Sequence, residues 1–162
     1  MTRFRIAAIA LVAMAALLGG SAIASGAGSV KIVTFKAKYT GTATVKQTGD
    51  VVDISGTGKG TGTPIGAGTV SGVGKGDASQ QPCVPWIGTG VMKGKKGTVT
   101  FKVIPGSVGC GDDGGTVSIN AKAQVTKATG TLLKAKGTLK LTGVYDRNAG
   151  TFSATFSGKL KQ

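Results

Sequence analysis

The sequence predicts an all-β chain: a single antiparallel, Gly-rich β-barrel of about eight strands, with a β-sandwich as the alternative. Three observations carry this. Apolar residues recur at every second position over most of the chain, turn-forming residues interrupt it at short intervals, and nothing after residue 24 sustains a helical stripe. Closure into a barrel also removes the unpaired strand edges that an exported chain must otherwise protect.

The first element reads as a helical signal peptide over residues 1–24. Arg3 and Arg5 precede an uncharged run from Ile6 to Leu18, and Ala22-Ile23-Ala24 supplies the small-residue pattern before a cut after Ala24. That run has 13 residues, short of the roughly 20 a spanning helix needs, so the segment reads as a leader rather than an anchor. The expected product is a secreted or extracytoplasmic protein with a flexible start at 25–29 and one barrel domain at 30–162. Two cysteines, Cys83 and Cys110, then pair as one disulfide in an oxidising compartment.

The strands follow in order. Val33, Phe35, Ala37 and Tyr39 alternate with Thr34, Lys36 and Lys38 in the first, over about 31–46. Further strands are expected near 50–61, 64–75, 86–93, 97–104, 115–127, 137–145 and 150–160. The clearest are Val99, Phe101, Val103, then Val117 to Val125, then Phe152, Ala154, Phe156. Thr48-Gly49-Asp50, Pro105-Gly106-Ser107, Gly114-Gly115 and Asp146 to Gly150 supply turns between them. Thr131 to Lys136 has room for one helical turn.

Glycine is unusually abundant, 29 in the chain, with many inside predicted strands, as at Gly56, Gly58, Gly60, Gly62 and at Gly66, Gly68, Gly72, Gly74. Gly within a strand marks a sharp bend or a close backbone approach, which a narrow barrel needs. The motifs Gly60-Thr61-Gly62-Thr63-Pro64-Ile65-Gly66-Ala67-Gly68-Thr69 and Gly130 to Thr138, followed by Gly150-Thr151-Phe152 and Gly158, resemble those of uncharacterised secreted bacterial proteins. Those proteins are placed with the eight-stranded barrels of the allene oxide cyclase and dirigent group. The resemblance implies the barrel and, as an alternative function, a cyclase or isomerase activity; it brings no recognisable active-site residues with it.

Chemistry is sparse. There is no His, which removes Ser-His-Asp and Cys-His relays and His-ligated zinc, and no Glu. The six acids are all Asp. Asp112-Asp113 is a weak candidate for calcium, which wants six to eight oxygens, and reads more simply as a turn. Asp50 and Asp53 fall on opposite faces of a strand and do not converge. No cofactor is expected. Gly56 to Thr63 lacks the phosphate-loop order and no helix follows it.

Two binding modes remain. The charge of +14 falls to +12 without Arg3 and Arg5, and 17 of the remaining 18 cations are Lys. Lys suits diffuse attraction to polyanions better than shaped phosphate recognition. Lys93, Lys95, Lys96 and Lys134, Lys136, Lys140 are the candidate anion-binding knots, with an anionic cell-envelope polymer as partner. Specific nucleic-acid binding is disfavoured because the inward phase consumes the aromatics on which bases would stack. Trp86 is expected to pack over the disulfide. The second mode is a small apolar ligand inside the barrel, with Asp53, Ile65, Thr69, Tyr39 and Tyr145 as the candidate pocket and a packed interior as the competing expectation. Ala67, Thr69, Ser71 and Val73 are placed inward with Ile65, and a Lys partner is required if Asp53 also turns in.

Overall fold

A computed structural model describes residues 29–162; the expected leader, and residues 25–28 of the flexible start, lie outside the described residues. Nine strands form: β1 (Ile32–Thr48), β2 (Val51–Thr63), β3 (Gly66–Asp77), β4 (Cys83–Gly94), β5 (Gly97–Val103), β6 (Val108–Gly111), β7 (Thr116–Ala128), β8 (Gly137–Asp146) and β9 (Thr151–Lys161). Short 3-10 turns occupy Ala78–Gln80 and Gly130–Leu132. Every pairing is antiparallel, and β9 returns to β1, so the sheet closes on itself.

The barrel has eight staves rather than nine. β6 pairs with the start of β4 and the start of β7, while β5 pairs with the remainder of those same strands. β5 and β6 are therefore one stave, interrupted at Ile104–Ser107. The interruption orphans backbone groups, and Ser107 satisfies them. Its hydroxyl donates to the Ile104 carbonyl at 2.7 Å and accepts from the Lys122 amide at 3.1 Å, while its own carbonyl accepts from Trp86 N–H at 3.0 Å. Ser107 is fully buried, as a polar group with this many partners can be.

Stagger sets the width of a barrel. From Tyr39 the register runs through Gly60 and Gly68 to Gly94 on β4 in one direction, and through Ala154, Gly143, Ile119 and Gly109 to Val84 on β4 in the other. Gly94 lies ten residues beyond Val84, a larger offset than the eight of the enzyme barrels whose interiors are completely filled. The extra width is taken up differently in the two halves.

One half is packed. Phe35, Tyr39, Ile65, Met92, Val99, Leu139 and Leu160 are fully buried there, and Leu132, from the 3-10 turn in the β7–β8 connection, closes the end. Tyr39 meets Phe156 edge-on at 6.2 Å and Phe101 meets Phe156 at 5.2 Å. Opposite the aromatics, the inward positions of β2, β3 and β4 are mostly glycine. A Cβ on Gly68 would stand 1.8 Å from the Lys93 carbonyl oxygen, so the sheet can bend there only without a side chain. A Cβ on Gly90 would stand 2.5 Å from the Phe101 ring, which lies on the wall that the glycine leaves bare.

The face expected for β3 is reversed. Ala67, Thr69, Ser71 and Val73 point outward; Gly68, Val70, Gly72 and Gly74 point in, and Ile65 is buried in the preceding turn. Gly66 adopts φ +85° between Ile65 and the strand, which resets the alternation.

Candidate functional site

The other half of the barrel is hollow. A cavity of about 280 Å³ lies between the Gly-lined wall of β2 and β3 and the side chains of β5 to β9. Phe101, Phe152, Phe156, Trp86, Ile119 and Leu141 contribute much of its apolar lining, and Val52, Ile54, Val84 and Val117 extend it toward the end of the barrel. Gln47, Gln81, Pro82 and Arg147, near the turns at that end, form the mouth. The rings rest on glycines: Phe152 lies over Gly58, where a Cβ would come within 2.9 Å of it, and Trp86 lies over Gly74, where the distance would be 3.2 Å. Glycine therefore makes room for the rings, and the rings furnish the apolar lining.

Trp86 faces this interior, whereas Cys83, three residues earlier on the same strand, has the opposite phase. The expected packing of Trp86 over the disulfide is thus replaced by packing over Gly74. The disulfide itself forms as expected, between directly opposed residues of β4 and β6, and pins the short stave fragment beside the mouth.

The candidate pocket residues separate. Tyr145 is nearly buried and lines the cavity. Tyr39 and Ile65 belong to the packed half, Thr69 is outside because of the reversed phase, and Asp53 is also outside. Asp53 has no need of burial, because outward-facing Lys75 directly across the β2–β3 pair meets it at 3.1 Å in a well-exposed ion pair. Tyr39 carries a buried hydroxyl with no hydrogen-bond partner, and burial pushes its phenol pKa up.

Asp112 and Asp113 belong to the turn into β7. The Asp112 carboxylate accepts from Thr116 N–H at 2.7 Å, its carbonyl accepts from the Arg147 guanidinium, and Asn148 donates to the Gly114 carbonyl at 3.4 Å. These bonds tie the β6–β7 turn to the β8–β9 turn across the mouth. Asp77 caps the 3-10 turn after β3; hydrogen bonds from the Ser79 hydroxyl and amide hold its carboxyl below the usual range.

The lysine candidates gather more closely than their sequence positions suggest. Lys93, Lys95, Lys96, Lys134 and Lys136 are exposed at or near the packed end, where the Thr131 amide donates to the Lys96 carbonyl at 2.9 Å. Lys140 departs from this group: it lies on the outer wall of β8, directly across from Lys122. All six Asp residues, Asp50, Asp53, Asp77, Asp112, Asp113 and Asp146, stand in or beside the turns at the mouth end. Charge and packing are polarised along the same axis.

No family model and no curated protein matches the chain.

Proposed function

We propose that the protein is a non-enzymatic carrier or receptor for a small apolar molecule, held in the hollow half of the barrel. The observation that carries this reading is the coincidence of an aromatic lining with glycines that let those rings lie against the wall and leave the middle open. Sites for small molecules are apolar concavities with a few polar groups at their openings, and the cavity with its Gln47, Gln81 and Arg147 rim has that form. An engineered cavity of about 150 Å³ holds benzene, so about 280 Å³ corresponds to a ligand of roughly ten to twelve carbon atoms. Binding is favoured over a cyclase or isomerase reaction because, among the described residues, no carboxylate lines the space and only Tyr145 and Arg147 bring titratable side chains to it.

Trp86 provides the test. Titration with the neutral fluorophore 1-naphthylamine, whose ten carbons match that size, is expected to give saturable energy transfer from Trp86, the single Trp of the chain. Ala43→Phe, which adds a ring to the lining beside Phe152 and fills the space, is expected to abolish it while the far-ultraviolet spectrum is retained. Unsaturable transfer in the parent, or full binding by the folded variant, would refute the reading.

A further inference from the structure

The packed end of the barrel carries a second surface, remote from the mouth. Three segments meet there: the β4–β5 turn, the β7–β8 connection and the paired ends of β1 and β9. Lys136 and Lys161 exchange two backbone hydrogen bonds at 2.8 Å, and the Gln162 main chain exchanges two with Lys31 at 2.8 and 3.0 Å. The Gln162 side chain donates to the carbonyls of Thr131 and Leu133 at 3.3 and 3.1 Å, joining the chain end to the connection. Lys31, Lys95, Lys96, Lys134, Lys136 and Lys161 therefore project from one contiguous face, and every Asp lies at the other end.

Apolar side chains stand among these lysines. Leu133 is 55% exposed, although its neighbour Leu132 is the buried plug, and Val30 and Ile32 are 65% and 51% exposed. Ile32 lies directly across from Lys161. At the other end exposed Val51 faces an acid, Asp77, and exposed Ile87 faces Lys75, whose charge Asp53 already meets.

We propose that this face docks on an anionic lipid bilayer, with the lysines against the headgroups and Leu133, Ile32 and Val30 in the interfacial layer. The mouth of the barrel then points away from the membrane. A dissolved polyanion would satisfy the lysines and leave the three apolar side chains in water; a bilayer interface accommodates both. Lys rather than Arg suits such a partner, since a fluid headgroup layer offers diffuse charge and no fixed fork to match.

The experiment is vesicle flotation of the chain beginning at Ser25, which contains the whole barrel. Phosphatidylcholine vesicles are compared with vesicles that also contain phosphatidylglycerol, at low salt and at roughly 0.1 M salt. Binding is expected on the anionic vesicles and to weaken as salt rises. The pair Lys95→Gln and Lys96→Gln is expected to weaken it roughly 25-fold. Leu133→Ala is expected to weaken it on the order of tenfold. Acyl-chain bromination should quench the new indole of the double variant Trp86→Phe/Leu133→Trp and leave Trp86 of the parent unquenched. Failure to float with anionic vesicles, quenching of Trp86 itself, or binding that Leu133→Ala leaves unchanged while soluble polyphosphate fully competes would each overturn the proposal. None of these readouts depends on the cavity being a ligand site.

Discussion

In the packed half, Phe35, Tyr39, Met92, Leu132 and Leu160 fill the space inside the wall; in the hollow half, Phe152, Trp86 and Phe101 lie along it and leave the middle free. Both halves use glycine on β2, β3 and β4 where neighbouring backbones come close, and they differ in what lies over that wall. Around Gly68 glycine lets neighbouring backbones approach, which narrows the barrel and allows complete filling. Around Gly58 and Gly74 a Cβ would likewise stand 2.6 and 2.8 Å from the Thr40 and Ile87 carbonyl oxygens, and there the bare backbone also receives an aromatic ring, which keeps the middle open. A barrel of one stagger can therefore be solid at one end and hollow at the other.

The largest expected effect concerns the hollow half, which has less packing to spare. Replacing both Cys83 and Cys110 with Ala opens a cross-link 27 residues apart and is expected to cost about 3.5 kcal/mol. Hydrogen exchange should rise first in β6 and the start of β4. Equal rises around Leu132 would show that the halves unfold as one unit and that the contrast is only geometric.

A glycine pair sharpens the same contrast. Gly68→Ala forces a Cβ to 1.8 Å from a carbonyl oxygen and is expected to cost roughly 3 kcal/mol in urea unfolding. Gly56→Ala meets only 3.3 Å contacts, with Ala43 and Thr42, and is expected to stay within about 1 kcal/mol because reduced freedom of the unfolded chain offsets the crowding. Equal losses would mean that the two regions of the wall are equally tight.

The smallest effect tests the packed half. Tyr39→Phe removes a buried hydroxyl that has no partner and is expected to stabilise by about 1 kcal/mol. It should also change the alkaline limb of stability. The Tyr39 phenol has a raised pKa in the fold, so it stays neutral where the unfolded chain ionises, and stability falls as pH rises above about 10. The variant should lose part of that fall. A destabilised Tyr39→Phe would reveal a bond to the hydroxyl and a less dry interior.

The barrel was legible because period-two alternation is a direct record of which side faces oil. Phe35 to Tyr39, Val99 to Val103 and Phe152 to Phe156 all took the expected phase. The cavity was not legible, for a related reason. On β3 the choice lay between Gly and small side chains, and alternation assigns the larger, more apolar set inward. In the structure the glycines face in, because the bulk of that layer comes from rings on other strands. β6 was missed because Val108 to Gly111 holds four residues between turns, too few for a period to show; Cys110 was its only signal. The lysine face was half visible, since nothing local shows that the start of β1, the end of β9 and the β4–β5 turn meet.

The pairing of β9 with β1 has a consequence for how the molecule can be made. Every other stave bonds to a neighbour that precedes or follows it closely in the chain, so hairpins can form successively as the chain emerges. The last contact joins Ile32 to Lys161, across the whole barrel domain, and until it forms both β1 and β9 present bare edges. A chain truncated before Thr151 would be a curled open sheet, sticky along two rims, and its aggregation would report on a step that the finished barrel conceals.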